Sequence, residues 1–232
     1  MGQKPHTDTK TALIPEVPAA LQEGVIQYHL EFNRDHHIDC PELSELNRWR
    51  SYLFRLGLIG QDPDRYGGLG YGNVSHRGAS LGFVISGTQT GHLPLLCREH
   101  YVLVESADVQ CNSIRARGPL KPSSEALTHA ALYDASESIQ CVMHVHSPLL
   151  WQRAEALDMA VTPARVPYGT PEMAMAVVDL VQASPEEEGV IAMQGHEDGI
   201  IVYAEDVNAA GSRLLQLVLD AHRLDEHYFT QH

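Results

Sequence analysis

Along the chain, apolar positions recur first at helical spacing, then in short alternating runs, then at helical spacing again. In "PEVPAALQEGVIQYHLEFNRDHH" the positions Leu21, Val25, Tyr28 and Leu30 predict a helix, preceded by a polar arm over residues 1–15. In "CPELSELNRWRSYLFRLGLIG" the positions Leu43, Leu46, Trp49 and Leu53 predict a second helix that stops at Gly60. A glycine-rich loop, "DPDRYGGLGYGN", follows, and then runs that read as strands: "NVSHR", "GFVISG" and "HYVLVESADVQCN". "SSEALTHAALYDAS" predicts a helix beginning after Pro122, with the adjacent serine as its N-cap. "IQCVMHVHS" reads as a strand and "TPEMAMAVVDLVQA" as a helix with proline in its first turn. "GVIAMQGH" and "GIIVYAED" read as strands separated by the hairpin signal "EDG", and the chain closes on a long helix, "EDVNAAGSRLLQLVLDAHRLDEHYF". Helices at both ends around a set of short strands predict a layered α/β domain, and the hairpin makes its sheet at least partly antiparallel.

A chain of 232 residues fits one large α/β unit. Residues 1–40 read as an N-terminal arm with an extra helix, and residues 41–232 as the main domain. Lys plus Arg is 16 against 30 for Asp plus Glu, a net charge of −14, which disfavours nucleic acid and anionic membranes as partners. No stretch approaches the length of a transmembrane helix and the start has no apolar leader, so a cytoplasmic protein is expected. Cysteines 40, 97, 111 and 141 form no C-x-x-C pair and read as free thiols.

The chemistry concentrates in "QCVMHVHSP". Side chains alternate across a strand, so Val142, His144 and His146 share one face, while Cys141, Met143 and Val145 form an apolar opposite face. The two histidines then sit about 7 Å apart along the strand, close enough to reach one metal ion. His196, in "AMQGHEDG", is the best third ligand, and three histidines with an open fourth position describe a catalytic zinc site. Two buried, hydrogen-bonded histidines satisfy the same pattern. In "RARGPLKPSSEAL" two serines at a helix start, with Arg115, Arg117 and Lys121 as a local basic island, suggest an anion site. Glu125 fits either a partner of the helix dipole or a general base beside the metal. The glycine turns "GLGYGN" and "SGTQTG" offer Gly72, Asn73, Ser86, Thr88 and Thr90 as further donors, or serve as ordinary strand connections.

In this order the pieces resemble the class II aldolase/adducin family. They are "GNVSHR" with Gly72, Asn73, Ser75 and Arg77; the turn after "FVIS"; "PSSE" opening a helix with "HAALY"; "HVHSP"; "VPYGTPE"; and a late histidine before a hairpin and a final helix. The resemblance spans roughly residues 43 to 222. It implies a three-layer α/β/α domain around a mixed, mainly antiparallel sheet, and often a cyclic homotetramer with active sites between subunits. It implies that His144, His146 and His196 bind a divalent metal, usually Zn2+, and that Glu125 is the catalytic acid/base. Gly72, Asn73, Ser123 and Ser124, with Thr88, match the positions that hold a substrate phosphate in sugar-phosphate members. The implied activity is that of a lyase acting on a small hydroxylated carbonyl compound through a metal-stabilised enediolate.

Three features depart from the family pattern. Gln89 stands where a glycine is expected. Only 22 residues separate Ser147 from Thr170, where resembling aldolases carry a longer segment with a catalytic tyrosine; Tyr228 either offers a proton donor from a neighbouring subunit or, the simpler role, packs on its own helix. "GHEDG" replaces an asparagine-histidine-glycine run and adds Glu197 and Asp198. Dehydratase, epimerase or decarboxylase chemistry on the same scaffold, or a non-catalytic module like the adducin head, are the alternatives.

Overall fold

The structure, a computed structural model, describes residues 24–35, 40–78, 82–184 and 186–230, with side chains to residue 224. Its strands are β1 (His29–Arg34), β2 (Gly60–Gln61), β3 (Gly70–Tyr71), β4 (Asn73–Arg77), β5 (Phe83–Ser86), β6 (Tyr101–Asp108), β7 (Ser113–Gly118), β8 (Cys141–His146), β9 (Ala160–Val161), β10 (Gly189–Ala192) and β11 (Gly199–Ala204). Its helices are α1 (Leu43–Arg55), α2 (Ala126–Ala135), α3 (Pro148–Gln152), α4 (Pro171–Ala183) and α5 (Val207–Thr230). The main sheet runs β1-β7-β6-β5-β4-β8-β11-β10-β9. Only the β1–β7 and β9–β10 pairs are parallel, so the sheet is mixed and mainly antiparallel, as expected.

The sheet has two apolar faces and each is covered by helices. On one face Met143, Val145, Ile200 and Val202 pack with Leu46 and Leu53 of α1 and Leu214 of α5. On the other Val142, Ile201 and Tyr203 pack with Leu127 and Leu132 of α2 and Val177 of α4. The alternation in "CVMHVH" is thereby realised: every residue of β8 is buried, and odd and even positions go to different layers.

Two elements differ from the sequence expectation. The apolar spacing through Val25, Tyr28 and Leu30 does not form a helix: Leu30 lies in strand β1 and Val25 and Tyr28 precede it, while Leu21 and the polar arm lie outside the described residues. Leu30 and Phe32 are the inward positions of β1, which pairs with β7 from His29↔Ser113 to Arg34↔Gly118. Strand β7 falls within the run read as a basic island. Its arginines do not gather around an anion: Arg115 pairs with Glu31, and Arg117 with Asp35 and Glu105. The exposed charges of neighbouring strands neutralise one another, which lets a polar sequence sit near the sheet edge.

Two motif residues serve the framework. Ser75 Oγ lies 2.7 Å from His129 Nδ1 and 2.6 Å from Tyr133 OH, joining β4 to α2. The Arg77 guanidinium donates to the carbonyls of Tyr133 and Ser136, both at 2.7 Å, and so caps the C-terminal end of α2.

In α5 a glycine sits in the helix interior because Trp49 of α1 lies against it. A Cβ on Gly211 would stand 2.3 Å from the indole ring. The indole Nε1 donates to Asn208 Oδ1 at 2.8 Å, which fixes the ring there. Alanine gains about 1 kcal/mol in helix propensity over glycine, but overpacking costs about 1–3 kcal/mol. Gly211→Ala is therefore expected to lower the urea unfolding midpoint and perturb tryptophan emission. A raised midpoint would show that the ring can move aside.

Candidate active site

The antiparallel pairs around β8 decide what meets at one end of the sheet. Asn73 stands opposite His144 on the β4 side, and Gly199 stands opposite His146 on the β11 side. The loops that precede β4 and β11 therefore arrive at the same two histidines. His196 lies in the second of these loops. Ligand atoms of His144, His146 and His196 fall within 4.8 Å of one another, and all three residues are buried. The ring centroids are 5.0 Å apart for His144–His146 and His144–His196, and 4.7 Å for His146–His196.

The donor set fits a divalent cation. His144 Nδ1 lies 3.2 Å from the Ile200 carbonyl oxygen. A carbonyl only accepts, so Nδ1 carries the proton and Nε2 presents its lone pair. That Nε2 is 3.1 Å from His146 Nε2. Burial, and then the neighbouring His196, push the protonation of His144 and His146 well below the ordinary imidazole range. Both rings are thus neutral at physiological pH, the form in which imidazole binds a metal.

Glycine permits two close approaches here. Gly195 precedes His196, and a Cβ on it would lie 1.6 Å from the Val166 carbonyl oxygen. The close contact brings Tyr168 onto His196, with ring centroids 4.1 Å apart and planes 15° from parallel. Gly72 has φ +75°, and a Cβ there would meet Ile59 at 2.7 Å and the His144 carbonyl oxygen at 3.1 Å.

Glu125 is the N-cap of α2 rather than a first-turn residue, and no serine side chain caps that helix. Ser123 Oγ instead accepts from the Glu125 amide at 3.3 Å. Glu125 is 1% exposed, and Thr128 Oγ1 donates to its Oε2 at 3.2 Å. Helix α2 covers the face of β8 that carries Val142, and hence also His144 and His146. Four residues into α2 from Glu125, His129 is fully buried, and burial lowers its protonation to about 3.

The expected anion-binding positions divide. The Asn73 side chain is buried, and its Oδ1 has no hydrogen-bond partner among the described residues. Gly87 bridges Pro122, and the Thr88 amide donates to the Lys121 carbonyl at 2.9 Å, which aligns the turn after β5 with Ser123 and Ser124. Thr88 Oγ1, however, already donates to the Gly24 carbonyl at 3.4 Å. Gln89 takes φ +60°, the left-handed value a glycine would adopt freely, and its amide donates to the same carbonyl at 3.3 Å. The Tyr28 hydroxyl donates to the Ser123 carbonyl at 2.8 Å. Residues before β1 thus rest on the rim of the site. Arg50 supports the turn from beneath: its buried guanidinium donates to the carbonyls of Leu93, Thr90 and Gly91.

Sequence reasoning missed the tyrosines at the imidazoles. Tyr66 lies in the glycine-rich loop and packs edge-on against His146, with centroids 4.6 Å apart. Its hydroxyl donates to Asp198 Oδ2 at 2.6 Å, and Arg65 approaches the same oxygen at 3.5 Å. Tyr66 and Asp198 both have left-handed backbones, φ 51° and 62°. Such strain costs about 1–3 kcal/mol per residue and persists where surrounding contacts hold it. Its only sequence signal was the Tyr66-Gly67-Gly68 turn and the added acid in "GHEDG". The side chain of Tyr228 lies outside the described residues.

The fold and this site define an α/β protein of class II aldolase architecture. The family model described as the class II aldolase and adducin N-terminal domain matches residues 64–221, and the chain belongs to that family. L-Fuculose-1-phosphate aldolase from Thermus thermophilus is similar in structure at TM-score 0.62 and 17% identity, over 81% of this chain and 94% of that one. A sugar-phosphate aldolase from Thermotoga maritima aligns at TM-score 0.61 and 14% identity, over 81% and 95%. YgbL from Klebsiella pneumoniae, whose chemistry is left among aldolase, epimerase and decarboxylase, aligns at TM-score 0.56 and 17% identity, over 78% and 86%. No curated protein matches the chain by sequence. No described helix is long and apolar enough to cross a membrane.

The Tyr66–Asp198 bond joins the two loops that reach β8. Tyr66→Phe keeps the ring on His146 and removes the bond. Amide exchange is expected to accelerate across residues 193–199 while the α5 amides stay unchanged. Unaltered exchange in that loop would mean the bond does not hold it.

Proposed function

We propose that this chain is a metal-dependent lyase of the class II aldolase type, acting on a small hydroxylated carbonyl compound. His144, His146 and His196 would hold the ion, with Zn2+ the first candidate for an all-imidazole set. The observation that carries this reading is the convergence of three buried imidazoles, two of them held neutral by burial, at one end of β8. A divalent ion held there would supply Lewis acidity toward a substrate carbonyl and its adjacent hydroxyl.

The chain's own residues supply the remainder. Glu125 takes and returns the proton; its carboxylate is oriented by Thr128 and shielded from solvent. Asn73 has a buried amide oxygen beside His144, and leaving such an atom without a partner costs about 1–3 kcal/mol, so a substrate hydroxyl is its natural donor. Tyr66, Tyr71 and Tyr168 wall the imidazoles with aromatic surface, which limits water around the reacting carbon. A phosphate or carboxylate on the substrate would meet Gly72, Ser123 and Ser124, with Thr88 partly committed to Gly24. A homotetramer is carried over from the family resemblance alone, and a cytoplasmic setting from the reading of the sequence.

Dehydratase, epimerase or decarboxylase chemistry is the second reading. Two observations favour it over aldol cleavage: the stretch from Ser147 to Thr170 holds a single tyrosine, Tyr168, which stacks on His196 instead of standing free, and the phosphate turn is partly occupied by the chain. A scaffold without chemistry has no use for three histidines and a buried glutamate together.

Metal analysis of His144→Ala combined with His146→Ala is expected to lose about one divalent ion per chain relative to the unaltered protein, with the circular dichroism spectrum retained. Full retention of metal by a folded double variant would refute the assignment. Glu125→Gln is expected to keep the metal and lose solvent deuterium exchange into phosphorylated and unphosphorylated hydroxyketones. Undiminished exchange would remove Glu125 from the mechanism.

A further inference from the structure

A second cluster of ligand-type side chains lies where the chain enters α1. Cys40, Glu42 and His76 each offer one ligand atom, and these atoms lie within 4.8 Å of one another. The Cys40 thiol donates to Glu42 Oε2 at 3.7 Å, and that oxygen stands 4.0 Å from His76 Nδ1. Cys40 and His76 are buried, while the Glu42 side chain is 41% exposed. We propose that Cys40, Glu42 and His76 form a second divalent-cation site, of zinc type, that clamps the start of α1 to strand β4.

This cluster is separate from the three imidazoles. Strand alternation sends Val74 and His76 to the α1 and α5 side of the sheet, whereas Asn73 and Ser75 face α2. His76 is registered against Cys141, at the opposite end of β8 from His146. Its sheet face and its distance along the strand both differ, so the proposal does not rest on the reading of the imidazole site.

The chemistry of the three groups suits a borderline-soft cation. A thiolate, an imidazole and a carboxylate are the three side-chain donor types of zinc. With bonds of about 2.0–2.3 Å in tetrahedral array, neighbouring ligand atoms stand roughly 3.3–3.7 Å apart, so a spacing of up to 4.8 Å closes by as much as about 1 Å on binding. His76 Nδ1 lies 2.7 Å from the Arg77 carbonyl oxygen, so Nδ1 carries the proton and Nε2 would be the metal-binding nitrogen, the ring being held as outer contacts hold ligating histidines. On binding, the thiol proton leaves to solvent, and thiolate and carboxylate together balance the two positive charges. The exposed side of Glu42 leaves the fourth corner to water. Among the described residues no lysine or arginine pairs with Glu42.

Cobalt(II) titration of the metal-free full-length protein tests this, because only a thiolate site gives a near-ultraviolet sulfur-to-cobalt charge-transfer band. The band is expected in the unaltered protein and in the His144→Ala, His146→Ala double variant, and it is expected to vanish in Cys40→Ser. Glu42→Gln, at a half-exposed position, is expected to keep the fold and weaken cobalt affinity at this site at least tenfold. Absence of the band at saturating cobalt overturns the proposal. So does a band that survives Cys40→Ser, which would assign it to another cysteine, and so does unchanged affinity in Glu42→Gln. Loss of metal from the imidazole site in the double variant leaves this outcome untouched.

Discussion

Strand β8 is buried on both faces and paired on both edges, and the rest of the site depends on that constraint. A strand so enclosed has its register fixed, because a slip of one residue would turn Met143 and Val145 toward α2 and drive His144 and His146 into the α1 and α5 layer. Fixed register, in turn, determines which residues come opposite the histidines: Asn73 on one side, and the Gly199 end of a loop that carries His196 on the other. Burial then does the electrostatic part, keeping His144 and His146 neutral so that their lone pairs remain available.

The loops are less constrained than the strand, and the chain compensates with specific contacts. Tyr66 and Asp198 both hold left-handed backbones and are bonded to each other. Gly195 and Gly72 admit backbone where any side chain would collide. Arg77, half-buried, and Arg50, fully buried, use their guanidinium groups to tie off carbonyls at the end of α2 and in the turn after β5. Of the family's motif residues, Ser75 and Arg77 are therefore framework, tying β4 to α2.

What the sequence disclosed follows the range of the interactions. The alternation in "CVMHVH" is local, and it correctly assigned both faces of β8. The pattern of helices α1, α4 and α5 is local too, with Thr170 and Pro171 marking the start of α4. Strand β1 was hidden because Tyr28 and Leu30 fit a helical period as well as an alternating one, and its choice is made by pairing with β7, more than 80 positions on. Strand β7 was hidden in turn because Arg115 and Arg117 look like a basic patch until Glu31, Asp35 and Glu105 are brought alongside. Tyr66 was illegible for the same reason: its partner Asp198 is 132 residues away.

The segment that leads into β1 touches the site at three carbonyls or hydroxyls, through Gly24 with Thr88 and Gln89, and through Tyr28 with Ser123. Edge-strand docking and ligand occupancy of the candidate site would therefore be coupled equilibria. A compound that reorganises Ser123 or Thr88 must shift how firmly β1 seats against β7, and by reciprocity the seating of β1 must alter that compound's affinity by the same factor. An edge strand of the sheet would thereby act as a thermodynamic reporter of a site near the sheet's centre.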